Sequence, residues 1–308
     1  MLLALSLAAA LLPPAGRSAP HPRRTAPTMA VPRATPLRTR LAGLSLPRAS
    51  DKALIDLERI ASPASTSSPP SSTLIVFGTY AADFNAIEYA QKLRYYLPLL
   101  RAQGLSRALL IINGTPPQCA ALSQALSLPP TLELLSDPSG EAGRRFGVCR
   151  GLLADEERLP AYAKLLGMLL GLGAGGTLPA VAAGYIGNPW GTAAWIEHAL
   201  AQGQRAGRWP ANVLEVDGQG RVLRNAFAEL PLVGSWGRRP LELATLRLQN
   251  MVGISLAEWG ALQPSDPRCL TQLGGCVLLS SSGEVLFEFV DHGICGTADF
   301  EEVLKALG

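Results

Sequence analysis

Five cysteines are the residues best suited to chemistry: Cys119, Cys149, Cys269, Cys276 and Cys295. No two form a CxxC pair, so no dithiol is offered by spacing alone. None combines with His21, His198 or His292 at a spacing that a zinc site uses, and neither a metal nor another cofactor is expected. An odd number at wide separation does not suggest a secreted disulfide framework. Cys149, Cys269 and Cys295 are the candidate redox thiols. Cys149 sits in the run Phe146-Gly147-Val148-Cys149-Arg150, where Arg145 and Arg150 could favour the thiolate. Cys269 and Cys295 fall in loops flanking a C-terminal strand pair. A Cys269–Cys295 or Cys276–Cys295 disulfide is an alternative whose distances sequence does not fix. Cys276 lies on an apolar strand and reads as a small buried hydrophobe. For each thiol the plainer reading is an inert side chain.

Two further polar groups stand out. Arg247 is flanked by Glu242, Thr245 and Gln249 on a long apolar helix. It is either a helix-surface ion pair or an anion clamp facing a pocket. His292, beside Asp291, is a candidate general base or a surface histidine without a role. The glycine run Gly171–Gly176 is not a phosphate loop, because it lacks a GK[ST] ending and no strand precedes it.

The 308 residues are 48% hydrophobic and 17% charged, as in a globular chain. The net charge of +3 misleads, because seven arginines and no acid occupy residues 1–50. From Asp51 onward the other 20 of the 27 basic residues face all 24 acids. That mildly acidic body excludes an electrostatic footprint for nucleic acid. Leu2–Leu12 is an apolar run ended by Pro13-Pro14, and Pro20–Ser50 is rich in Arg, Pro, Ser, Thr and Ala. The pair resembles a bipartite plastid leader; a single-stage transit peptide, or a secretory leader before a linker, is the alternative. Residues 1–50 are therefore expected to be a disordered targeting leader, and 51–72 a short helix (Asp51–Ile60) with a low-complexity linker.

The elements that must position the candidate residues follow from Thr73. Thr73–Phe77, Ala108–Ile112 and Thr131–Leu135 read as strands. Helices between and after them start at Asp83, Pro116 and Asp137. This β-α-β-α-β-α order implies parallel pairing. Gly275–Ser280 and Glu284–Val290 read as a hairpin and Asp299–Leu307 as a closing helix. The whole is the layout of a thioredoxin-like α/β fold over 73–308, with a long, mainly helical insertion at about 149–273. In the insertion, helices are predicted near 155–172, 178–186, 191–202 and 239–261, with a β-like segment at 212–224. Leu165–Ile196 carries no charge, but its glycines, with Pro179 and Pro189, break it into pieces too short to cross a bilayer. Buried core or a peripheral membrane contact is expected, with no transmembrane helix.

Three segments carry a family resemblance. They are Arg239-Pro240-Leu241-Glu242-Leu243-Ala244-Thr245-Leu246-Arg247-Leu248-Gln249-Asn250-Met251, then Leu270-Thr271-Gln272-Leu273-Gly274-Gly275, then Asp291-His292-Gly293-Ile294. With Asp83-Phe84-Asn85-Ala86-Ile87-Glu88-Tyr89-Ala90 upstream, they resemble the AhpC/TSA-like antioxidant family, a peroxiredoxin-like, thioredoxin-fold group of cyanobacteria and plastids. The resemblance spans roughly 73–300. It implies peroxide or thiol chemistry in redox homeostasis, a thiol reductant as partner, and a chloroplast address.

In such a fold the reactive cysteine sits where the first central strand meets the next helix, whose N-terminus favours a thiolate. Here that junction reads Gly78-Thr79-Tyr80-Ala81-Ala82-Asp83-Phe84-Asn85, without a cysteine. Within it Thr79, Tyr80 and Asp83 are expected to face a pocket, with Asp83 as the helix cap. Two functions follow, with small-molecule binding between the insertion and the sheet as a third possibility. One is an antioxidant enzyme using a thiol elsewhere. The other is a non-catalytic binding or assembly module that contacts a protein partner or a membrane surface.

Overall fold

The computed structural model describes residues 35–62, 72–208 and 213–308. In chain order they form α1 (Leu37–Arg40), β1 (Ser45–Pro47), β2 (Leu54–Asp56), α2 (Leu57–Ile60), β3 (Ser72–Phe77), α3 (Phe84–Ala102), β4 (Leu105–Ile112), α4 (Pro116–Leu126), β5 (Glu133–Ser136) and α5 (Glu141–Phe146). The insertion follows with α6 (Ala161–Leu169), α7 (Thr177–Ile186), α8 (Ala194–Arg205), β6 (Leu214–Val216), β7 (Val222–Asn225), α9 (Pro240–Gln249) and α10 (Trp259–Leu262). The chain closes with β8 (Gly275–Leu279), β9 (Val285–Val290) and α11 (Phe300–Leu307).

The main sheet is five-stranded and mixed, in the order β5-β4-β3-β8-β9. β3, β4 and β5 run parallel, and β8 and β9 are antiparallel additions on the other side of β3. β3 is central because Leu74, Ile75, Val76 and Phe77 are all buried, as an uninterrupted apolar strand requires. Alternate side chains serve two layers. Leu74 and Val76 pack with α3, α4 and the insertion, whereas Ile75 and Phe77 face the opposite layer. Phe77 stacks there on Phe146 of α5, with ring centroids 4.2 Å apart.

That opposite layer corrects the expected start of the body. Residues 35–62 belong to the fold, not to a disordered leader and linker, so the ordered body begins well before Thr73. Leu37, Leu41, Leu46, Ile55 and Leu57 are buried against Ile75, Leu109 and Val277. Ala49 N–H donates to the carbonyl of Leu134 (2.9 Å), and Arg48 bridges Leu135, which pairs the free edge of β5. The physical reason is coverage: six-residue α5 cannot hide one whole face of a five-stranded sheet, and an unpaired edge is a liability. The helix expected over 51–60 is instead a strand, Leu54–Asp56, and one helical turn capped by Asp56. Residues 1–34 and 63–71 of the predicted leader and linker lie outside the described residues.

Residues 149–273 are mainly helical. The long helix expected over 239–261 is divided, because α9 passes into a π turn, Asn250–Leu256, before α10. Ser255 Oγ lies 2.9 Å from the carbonyl of Asn250 and 2.7 Å from that of Ala82, so the widened turn brings a hydroxyl to the β3–α3 junction. Among the described residues no helix is long and apolar enough to cross a membrane.

Candidate functional site

Asp83 caps α3 by accepting from the N–H of Asn85 (3.3 Å), and its other partner is the Thr79 hydroxyl, which donates to Oδ2 at 2.6 Å. Thr79 Oγ1 in turn accepts from Ala86 N–H. Thr79 and Asp83, two of the three polar residues expected to face a pocket, therefore bond each other and the helix end, while Tyr80 offers its backbone carbonyl to the N–H of Asp83. They are also covered: Thr79, Tyr80 and Asp83 are all buried. Trp259 of α10 packs edge-on against Tyr80, and Ser255 closes on Ala82. Residues of α10 and of the π turn before it thus cover the β3–α3 junction. Burial raises the Asp83 carboxyl to about 6, against the pull of Thr79 and of the Asn85 amide.

One turn along α3 a larger polar network is sealed inside. Asn85 Nδ2 donates to Asp291 Oδ2 (2.6 Å) and to the carbonyl of Gly293 (3.2 Å), while its Oδ1 accepts from Cys295 N–H (2.7 Å). Tyr89 donates its hydroxyl to Asp291 Oδ1 (2.5 Å) and accepts from Ala298 N–H. Gly274 N–H completes the shell of Asp291. Burial raises Asp291 to about 7, and the donors from Tyr89 and Asn85, with Lys92, oppose it. Next to it, Lys92 pairs with Glu88 (2.8 Å) and donates to Thr297 and to the carbonyl of Ala298. For Glu88 burial acts upward, but Lys92 and Arg247 prevail and hold it at about 2. Apart from Gly274 before β8 and Arg247 of α9, the partners in this network lie on α3 or in the loop after β9. Its work is to clamp that loop, including Cys295, whose backbone is left-handed (φ 63°).

All five cysteines are free thiols, so neither the Cys269–Cys295 nor the Cys276–Cys295 bond is formed. Burial pushes Cys119, Cys269 and Cys295 up to about 12, and Cys276 higher still. Cys149 is half-buried; its Sγ lies 3.6 Å from the carbonyl of Gly173 and accepts from Gly151 N–H. The guanidiniums expected to activate it are bonded elsewhere, Arg145 to Glu141 and the carbonyl of Ala42, Arg150 to Asp155. Cys149 and Cys295 border one small apolar cluster with Met168 and Leu273, whereas Cys269 reaches the carbonyl of Pro138.

Nor does Arg247 form an anion clamp on the junction. It donates to the carbonyl of Ala180 in α7 (2.9 Å) and stands 4.0 Å from Glu88. It reaches them over Gly184, where a Cβ would lie 2.6 Å from Nη1. Arg247 therefore ties α9 to α7 and to the buried Glu88. His292 is exposed and packs on Phe289, while its neighbour Asp291 points into the core network, so the two do not form a base pair of the catalytic kind.

No family model, curated protein or solved structure matches the chain. The site must be judged on its own geometry. Sequence reasoning missed Asn85, Tyr89, Lys92 and Asp291 as a connected group. The signal available was three polar residues on the buried side of α3, and the approach of the 291–298 loop gives them partners.

Proposed function

We propose that this chain is a non-catalytic, thioredoxin-like binding module, in which the insertion occupies the former active-site approach and offers an apolar docking face to a protein partner. The observation that carries the reading is the junction itself. Gly78–Asn85 holds no thiol, its polar residues are buried, and the Thr79 hydroxyl and Asp83 carboxylate are taken up by each other and the helix end. The strand order β4-β3-β8-β9, with a parallel pair followed by an antiparallel hairpin and a closing helix, supports the thioredoxin-like fold.

The docking half rests on exposure. α6 and α7 leave Tyr162, Leu166, Leu170, Tyr185 and Ile186 in water, and Trp190 just beyond is 89% exposed. Large apolar side chains without charges among them mark contact surfaces. The charges that border α6 on its N-terminal side are the exposed Asp155, Glu156 and Glu157, with Arg158. That acidic margin disfavours an anionic lipid surface and favours a protein. The plastid address belongs to the same reading and rests on the acid-free start of the chain, now confined to residues 1–34 because 35–62 are part of the folded body.

Peroxide consumption by the full chain with a dithiol reductant tests the first half. Turnover is expected to match that of a variant with all five cysteines changed to Ser; turnover lost on a single Cys-to-Ser change, Cys149→Ser above all, would restore the antioxidant enzyme. For the second half, a photo-crosslinker at Ile186 is expected to yield one saturable adduct in plastid extract, abolished by Leu170→Glu at unchanged Tm. Sedimentation with anionic vesicles instead would overturn the choice of a protein partner.

A further inference from the structure

A cleft of about 400 Å³ opens between the C-terminal half of α3, α8 and the turn that follows α4. Arg94 and Arg101 of α3, His198 of α8 and the hydroxyl residues Ser127 and Thr131 line it, and no acid does. Arg101 uses Nη2 on the carbonyl of Thr131 (3.1 Å). Arg94 is half-buried, has no acceptor among the described residues, and is repelled by Arg205. The Nδ1 of His198 is buried without a partner. Burial, reinforced by Arg94 and Arg205, holds that imidazole down at about 4, so it is neutral at pH 7.

Four other arginines of the fold hold a carboxylate, and Arg101, Arg205 and Arg208 each reach a backbone carbonyl, which Arg94 does not do among the described residues. Arg107 pairs with Glu133, Arg150 with Asp155, Arg224 with Glu229 and Arg239 with Glu242. A partly buried guanidinium without a counter-charge costs stability, so its position calls for a reason. A helix C-terminus is not that reason. The favourable field falls off within the last turn, where Arg101 stands, and Arg94 lies two turns earlier. The last carbonyls of α4 are met by Gln202 and Arg208, which both reach Ala125.

We propose that this cleft binds a small organic phosphate ester. Two guanidiniums present planar forks of N–H donors, which match the oxygens of a phosphoryl dianion better than a single carboxylate. The hydroxyls of Ser127 and Thr131 add donors, and Leu97, Pro98 and Pro129 give apolar wall for the organic part. The volume falls within the range of about 300–1,000 Å³ that small-molecule sites occupy. The assignment does not depend on the docking face or on the absence of redox chemistry.

Titration calorimetry and thermal unfolding of the full chain, with phenyl phosphate, orthophosphate and benzoate as probes, test it. Phenyl phosphate is expected to bind one to one and to raise Tm, with orthophosphate and benzoate each weaker by about tenfold. Arg94→Ala should weaken phenyl phosphate by about tenfold or more. Arg94→Lys should not restore it, because the fork is lost. Arg150→Ala should leave binding unchanged. Ligand-free Arg94→Ala should melt at or above the wild-type temperature, since it removes a charge that Arg205 repels. The proposal is overturned by an absence of saturable binding up to about 10 mM, by binding that survives Arg94→Ala, by orthophosphate equalling the ester, or by a lower ligand-free Tm in Arg94→Ala.

Discussion

Asn85 Nδ2 lies 2.6 Å from Asp291 Oδ2, joining the first turn of α3 to the loop after β9 across 206 residues of chain. Because Asn85 also holds Gly293 and Cys295, one side chain fixes three points of that loop. Asn85→Ala would leave a buried carboxyl short of one donor and the Cys295 N–H without an acceptor. The expected loss is about 2–4 kcal/mol in urea unfolding, from two unsatisfied buried groups. A loss under about 0.5 kcal/mol, the level of an ordinary surface change, would mean the clamp is not formed.

The same carboxyl gives a pH signature. Burial raises Asp291 to about 7 and Asp83 to about 6, above the ordinary 3.8. The folded state therefore holds these protons more tightly than the unfolded state. Their contribution is complete below about pH 3.8 and declines as pH rises to about 7. Glu88, held at about 2 against an ordinary 4.5, acts oppositely: its contribution is present above 4.5 and lost as pH falls towards 2. Asp291→Asn should be less stable than wild type near pH 4. Its deficit should shrink by pH 8, on the order of 2–4 kcal/mol. A deficit that does not change with pH would refute a raised Asp291.

Thiol reactivity separates Cys149 from the rest. Cys119, Cys269, Cys276 and Cys295 are buried, and burial keeps them protonated, so the folded chain should take up iodoacetamide at Cys149 first. Mass spectrometry of the native protein should find one adduct, and of the denatured protein five. Native labelling at Cys269 or Cys295 ahead of Cys149 would contradict the closed loop.

Gly293 faces the start of α7, where a Cβ would lie 2.2 Å from the backbone nitrogen of Thr177. On the same seam Gly176 N–H donates to the carbonyl of His292 (2.8 Å). Backbone cannot yield as a side-chain tip can, so Gly293→Ala should cost about 1–3 kcal/mol. Gly175→Ala, with open space around its Cβ, is the control and should cost less. Equal losses in the two variants would show that the seam does not constrain Gly293.

The sheet was legible because its strands are short, apolar and separated by caps and turns whose chemistry is local. Asp83 before α3 and Pro116 at the start of α4 mark helix ends with their own side chains. The N-terminal segment was not legible. Leu37, Leu41, Leu46, Ile55 and Leu57 follow no single period, and the arginines between them resemble a leader until the bare face of the sheet supplies a place for the leucines. The division of the 239–261 helix was equally hidden, since Ser255 leaves the regular ladder for a carbonyl at Ala82, 173 residues away.

By itself the amino-acid sequence determined the strand–helix order, the absence of a thiol at Gly78–Asn85 and the charge-free stretch 165–196, because composition, capping and periodicity act within a few residues. Only the tertiary structure decided that Thr79 and Asp83 satisfy each other under a covering insertion, that Arg247 holds α7 instead of a ligand, and that Arg94 is left without a counter-charge beside His198. Those outcomes depend on which groups meet across tens or hundreds of residues, and on whether burial leaves each one paired.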